Sequence, residues 1–229
     1  MGEGRAVKAV IFDLDGTLVD SAPDIHRAAA KLLSERGHES PDLETVKRFV
    51  GNGVAVLVER LLDWAGETGG AEAQTAATSR FHAIYGAAPA VLSQPFDGVS
   101  MTLQSLTDAG YRLGLCTNKP LAPARQMLAA LGLAEPIQAV VGGDSLPVRK
   151  PDPEPLLHVA RALEAEREQV VYVGDSEVDA AAAQAAGIAF ALFTQGYRKT
   201  AADEIPHHLR FDHFGELQEL LERFRGQRP

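Results

Sequence analysis

The chain has 229 residues, 45% of them hydrophobic and 23% charged. These are the proportions of a folded globular protein, and the length holds one large domain or an ordinary domain with a smaller insert. A net charge of -9 argues against a broad nucleic-acid or anionic-membrane surface, so an anionic substrate has to be met by a local cluster of cations or a metal. The one cysteine, Cys116, excludes an internal disulfide, no apolar run approaches the roughly 20 residues of a membrane span, and MGEGRA lacks the apolar core of a signal peptide. The expectation is a soluble, cytoplasmic protein without nucleic-acid or membrane partners.

In chain order, VKAVIFDLDGTLVD comes first. An apolar run through Phe12 breaks into two carboxylates, a glycine and a threonine, the pattern of a buried strand emerging at a site. Helical periodicity follows at Pro23 to Arg36, Leu43 to Phe49, Val54 to Trp64 and Ala71 to Tyr85, with no convincing strand between Ser21 and Gln94 and a surface loop at Glu67 to Gly70. The pattern then alternates. Helices are expected at Val99 to Ala109, Leu121 to Leu131, Pro155 to Leu163 and Val178 to Ala186; strands at Arg112 to Cys116, Ala139 to Val141, Val170 to Val173 and Ile188 to Phe193. An edge strand at Leu209 to Phe211 and a closing helix at Leu217 to Phe224 complete the series. Alternation of this kind implies an α/β fold, a Rossmann-like parallel sheet with helices on both faces. The all-helical stretch is read as an inserted cap at 21–94, leaving 1–20 and 95–229 as the core, with Asp20 to Pro23 and 92–99 as the two crossings.

Four stretches carry chemistry. If strand geometry persists, Asp13 and Asp15 project to one side and Leu14 to the other, while Gly16 permits a tight turn and Thr17 offers a hydroxyl. A strand ending in a polar turn would also explain an isolated D-x-D. Thr117 and Asn118 in LGLCTNKP stand between a strand and a helix, where anions gather; alone, they would serve equally as a helix cap. Lys150 sits in the rigid KPDP loop, whereas an ordinary surface lysine is just a solvated charge. In VVYVGDSEVDA, Asp175 and Asp179 flank a helix start; capping accounts for a lone G-D-S, but a second carboxylate-bearing strand tip in one sheet needs more explanation, because clustered carboxylates repel unless a cation is present, and oxygen ligands point to Mg2+.

The order and contexts of DLDGT, TN, the lysine of KPDP and VGDS identify the chain as resembling the haloacid dehalogenase-like hydrolases, mostly Mg2+-dependent phosphatases. CTNKP, VVGGD, KPDPEPLL and TQGY resemble the branch of that family acting on 2-phosphoglycolate. The resemblance implies Asp13 as nucleophile forming an aspartyl phosphate, Asp15 as general acid and then base, and Mg2+ held by Asp13, the Asp15 backbone carbonyl and Asp175, with Asp179 in support. It implies that Thr117, Asn118 and Lys150 hold the transferring oxygens. Within the insert it rests mainly on FVGNGV, which makes Asn52 a substrate-contact candidate with Arg48 or Lys47 as charge partner, beside Thr17 in the core. The implied substrate is a small anionic phosphate ester, handled by a monomer or homodimer. Competing expectations are a phosphatase for another small ester, a phosphosugar mutase, or a non-catalytic binding protein on this fold. Cys116 is expected as a small buried hydrophobe and His207 and His208 as surface residues, with Pro206 to Arg210 bearing on edge packing alone.

Overall fold

The computed structural model describes residues 6–67, 69–88 and 90–227. The MGEGRA expectation falls mainly on residues 1–5, outside the described residues, as does Thr68 of the Glu67–Gly70 loop.

Strand β1 (Ala9–Phe12) is buried on both faces, which its unbroken apolar sequence permits. It lies between β4 (Arg112–Cys116) and β6 (Val170–Gly174), parallel to both. Outward from these run β5 (Ile137–Val141) on one side, and β7 (Ala189–Phe193) then β8 (Leu209–Phe211) on the other. The six-stranded order is β5-β4-β1-β6-β7-β8. Alternation along β1 divides the core: Val10 and Phe12 join the cluster under α5 (Val99–Asp108), α6 (Leu121–Ala130) and α9 (Leu217–Gln227). Ala9 and Ile11 join the cluster under α7 (Glu154–Ala162) and α8 (Glu177–Ala186). Helices therefore cover both faces, as expected, and every strand of the large sheet delivers its carboxyl end to the same edge. Truncating Phe12 to Ala at this centre would cost about 3–5 kcal/mol.

Between Asp20 and Gln94 the chain forms four helices, α1 (Ala22–Glu35), α2 (Leu43–Phe49), α3 (Val54–Trp64) and α4 (Gly70–Gly86). Two of them start or stop on local chemistry: the Asp42 carboxylate caps α2 by accepting from the Thr45 N–H, and Gly37 follows α1 in the left-handed region at φ 83°. The two crossings pair with each other. Val19–Asp20 (β2) and Gln94–Pro95 (β3) form a two-stranded antiparallel ribbon too short to register as hydrophobic alternation. Asp24 is buried beside it and accepts from the Leu92 and Ser93 backbone N–H groups and the Ser93 hydroxyl at 2.7–2.9 Å, tying the return crossing to α1. At the far sheet edge His208 accepts from the Phe190 N–H at 3.2 Å and lies edge-on to Phe224, so this histidine helps to hold β8 in place.

Candidate active site

The β1–β2 connection doubles back on itself. Gly16 donates to the Val19 carbonyl and Val19 to the Leu14 carbonyl, and this places Asp13 and Asp15 facing one cleft. Gly16 has φ 85°, and a Cβ there would fall 2.6 Å from an Asp175 oxygen, so both conformation and close approach require glycine. Gly196 meets Asp175 from the other side, where a Cβ would stand 2.3 Å from the Asp175 Cβ. Asp175 is thus held in a glycine cradle. The Thr17 hydroxyl donates to its Oδ1 at 2.7 Å and the Tyr197 N–H to its Oδ2 at 2.6 Å, leaving each oxygen a lone pair.

Ser176 caps α8 and forms a reciprocal box with Asp179, turning that carboxylate back toward the strand tips. Asp179 is saturated there: Oδ1 accepts from Lys150 Nζ and the Tyr172 hydroxyl, both at 2.7 Å, and Oδ2 from the Ser176 N–H and hydroxyl. Lys150 Nζ also donates to Tyr172 at 2.7 Å and lies 3.0 Å from Asp13 Oδ1. That Asp13 oxygen is buried with no well-directed hydrogen bond, so its contact with Lys150 is a charge pairing by proximity.

One oxygen from each of Asp13, Asp175 and Asp179 fits within a group no more than 4.8 Å across. Burial pushes the Asp13 carboxyl up to about 7 against the pull of Lys150, with Asp179 and Asp15 adding repulsion. Burial, then repulsion from Asp179 and Asp13, holds Asp175 well above the carboxylate range. Asp179 moves the other way: burial would raise it, but the Lys150 charge and the bonds from Lys150, Ser176 and Tyr172 bring it below its usual value. With all three carboxylates ionised, one ammonium would leave two negative charges uncompensated, which is the repulsion that raises Asp13 and Asp175 and that a cation would relieve; both retain free lone pairs. The donor set, all hard oxygen, fits a divalent cation at Asp13 and Asp175, with Asp179 fully occupied in supporting Lys150.

Thr117 and Asn118 follow β4, and both line the cleft. The Thr117 hydroxyl accepts from the Lys119 N–H at 3.2 Å. Both Asn118 amide hydrogens are taken, by the carbonyls of Gly51 in the helical insert and Lys150 in the core, each at 3.0 Å; its Oδ1 is buried without a partner. Asn118 therefore ties insert to core. Asn52 is turned toward Arg60, whose guanidinium donates to its Oδ1 at 3.0 Å. Lys47 is paired with Glu44 at 2.8 Å, and Arg48 is exposed. None of these three lines either cleft, whereas backbone-rich Val50, Gly51 and Gly53 do. Thr17 is fully buried on Asp175. Cys116 is buried, and burial pushes its thiol up to about 12, which suits a packing residue.

Lys119 is the residue that motif reading missed. Its ammonium lies 2.9 and 3.3 Å from the two Asp15 oxygens and donates to the Tyr85 hydroxyl of α4 at 2.9 Å. Burial works against its charge, but Asp15 and Tyr85 raise its pKa above that of an ordinary lysine. The available signal was CTNKP itself, which puts a second lysine one residue beyond Asn118 in the same strand-to-helix turn. Asp15 is further held by the Ser21 hydroxyl at 2.6 Å. The open cleft over these groups, about 640 Å³, is walled by apolar side chains of the insert such as Ile25, Val54, Leu57 and Phe81. A second cleft of about 310 Å³ adjoins it beside Asp175.

The family model of the haloacid dehalogenase-like hydrolases matches residues 10–193. The chain belongs to that family. The hydrolase is 52% identical over 214 residues to a phosphoglycolate phosphatase of Cereibacter sphaeroides, covering 93% of this chain and 97% of the relative. It is 42% identical over 222 residues to one of Rhodobacter capsulatus, covering 93% and 96%. Among solved structures, a predicted phosphoglycolate phosphatase from Haemophilus somnus superposes on the hydrolase with a TM-score of 0.88 at 31% identity, covering 93% of this chain and 97% of that one.

Proposed function

We propose that this phosphoric monoester hydrolase converts 2-phosphoglycolate to glycolate and phosphate, using Mg2+ and an aspartyl phosphate on Asp13. One observation carries the reading. The Asp13 carboxylate lies at the tip of the central strand, buried, beside Lys150 and within one small group with Asp175 and Asp179. The names of the similar proteins supply the substrate.

Asp13 attacks phosphorus, an Asp13 O–P bond forms and the ester P–O bond breaks, with Asp15 delivering a proton to the departing oxygen. Asp15 then takes a proton from water as the water attacks phosphorus, the Asp13 O–P bond breaks and phosphate leaves. Asp13, the Asp15 backbone carbonyl and Asp175 would hold Mg2+, which supplies charge neutralisation between an anionic nucleophile and an anionic phosphate. Lys150 fixes Asp13 and Asp179, and its charge lies near enough to steady the transferring oxygens, as does the Thr117 hydroxyl. Asn118 orders the edge of the site through Gly51 and Lys150. The helical segment 21–94 acts as a cap that shapes the leaving-group end and excludes water. Asn52, Arg48 and Lys47 reach the substrate on this reading only through a rearrangement that frees Asn52 from Arg60. On this reading the enzyme works in the cytoplasm as a monomer or homodimer. No helix among the described residues is long and apolar enough to cross a membrane.

The deciding experiment pairs chemical trapping of a phosphorylated aspartate with kcat/KM across small phosphate esters in Mg2+. Label on Asp13 and highest efficiency for 2-phosphoglycolate are expected. Label elsewhere sinks the nucleophile, and a markedly better hexose phosphate or nucleotide sinks the substrate.

A further inference from the structure

A leaving group that carries a carboxylate needs a cation where it leaves, because an unpaired charge in an apolar-walled cleft is costly. Among the described residues that line the larger cleft, Lys119 is the one lysine or arginine; His82 of α4 also lines it but is exposed to solvent, whereas Lys119 is buried at the reacting end. Its ammonium has three donors. One is shared between the two Asp15 oxygens, at 2.9 and 3.3 Å, one goes to the Tyr85 hydroxyl at 2.9 Å, and among the described residues no further acceptor lies against the ammonium. The two partners come from opposite sides: Asp15 follows the central strand, while Tyr85 belongs to helix α4 of the insert. The ammonium is therefore held between the reacting end of the cleft and its apolar roof, where the part of the substrate beyond the ester oxygen must lie.

We infer that Lys119 is the specificity-determining residue, its remaining donor taking the carboxylate on the leaving part of a small phosphate ester. The inference rests on the 2-phosphoglycolate reading and adds to it the residue that recognises the acid. Asp15 and Tyr85 fix the ammonium before substrate arrives, so little side-chain entropy is lost on binding. A neutral ester leaves that donor unmatched and forfeits a charge-assisted bond. A bulky one meets Val54, Leu57 and Phe81.

The test compares 2-phosphoglycolate with ethyl phosphate, similar in size but uncharged in its leaving part, on wild type, K119M, K119Q and K119R with Mg2+. K119M and K119Q are expected to lose roughly 10- to 100-fold more kcat/KM on 2-phosphoglycolate than on ethyl phosphate, the range for one hydrogen bond to a charged group, with the extra loss in KM. Any loss through Asp15 is common to both esters and cancels in the ratio. K119R should keep the preference for the anionic ester. If K119M fails to fold, K119Q carries the comparison, since its amide can still donate to Asp15 and Tyr85. A wild-type preference that survives intact in the neutral variants overturns this inference alone. A wild type that hydrolyses ethyl phosphate as efficiently as 2-phosphoglycolate overturns the substrate reading and this inference with it.

Discussion

The strand tips and the helical insert meet the same cleft with different materials. The tips bring charge: Asp13, Asp15, Asp175, Asp179, Lys119 and Lys150, each buried or nearly so and each fixed by named partners. The insert brings mainly backbone and apolar surface, Gly51 and Gly53 with Val54, Leu57 and Phe81, together with one phenol, Tyr85, and one imidazole, His82. Its own cations Lys47 and Arg48 stay outside. The difference teaches a division of labour. Charges that must act in a low-dielectric site are placed where a rigid sheet and helix termini can hold them, while a segment joined by two crossings contributes shape, where small displacements cost less.

The sharpest way to break that division is at its centre. Asp13→Asn is expected to reduce turnover of every ester by roughly 10⁴-fold or more while the fold persists, because the amide is nearly isosteric and a poor nucleophile. Steady-state assays on protein shown free of deamidation check this, and activity near wild type would contradict it. Asp15→Asn should lose roughly 10²- to 10⁴-fold, less for aryl than for alkyl phosphates, since a good leaving group needs no proton. Equal losses on both classes would remove the acid role.

Charge at the second strand tip is tested by Asp175→Ala. The expected outcome is a midpoint for Mg2+ activation raised by about tenfold or more, read by titrating metal into chelator-treated protein. An unchanged midpoint would mean that Asp175 is not a ligand. The smallest effect belongs to the junction between the two regions. Asp24 is buried, which alone would raise its pKa, but the Ser93 hydroxyl, the Leu92 and Ser93 N–H groups and Arg27 hold it below the usual carboxylate value. A depressed folded-state pKa stabilises fully above the ordinary value near ~3.9 and is lost as pH falls through the lowered one. Asp24→Asn should therefore cost about 1–3 kcal/mol at neutral pH, and less as the solution is acidified below that value. Denaturant unfolding at several pH values measures it; a cost independent of pH would refute the account.

Much of this protein was legible in its residues because the relevant signals are local. The uninterrupted Ala9–Phe12 run gives a central parallel strand, 3.6-residue periodicity gives α3 at Val54–Trp64, and the order of carboxylates and glycine after β1 and β6 marks where the buried carboxylates gather. Asp179 as a partner of the Asp175 tip follows from helix geometry over a single turn.

What local pattern does not carry is which donors are already spent. Lys150 gives its ammonium to Asp13, Asp179 and Tyr172, and Asn118 gives both amide hydrogens to carbonyls 67 and 32 residues away. Lys119 finds Asp15 across 104 residues and Tyr85 across 34. The two-residue ribbon at Val19–Asp20 and Gln94–Pro95 likewise exists only because the insert returns beside its own departure point. By itself the sequence determined the strands, the helices and the positions of the strand-tip carboxylates, since backbone periodicity and turn chemistry act between near neighbours. Tertiary structure alone decided which ammonium faces which acid and what the insert shows the cleft, because those pairings are set by packing between segments that periodicity does not connect.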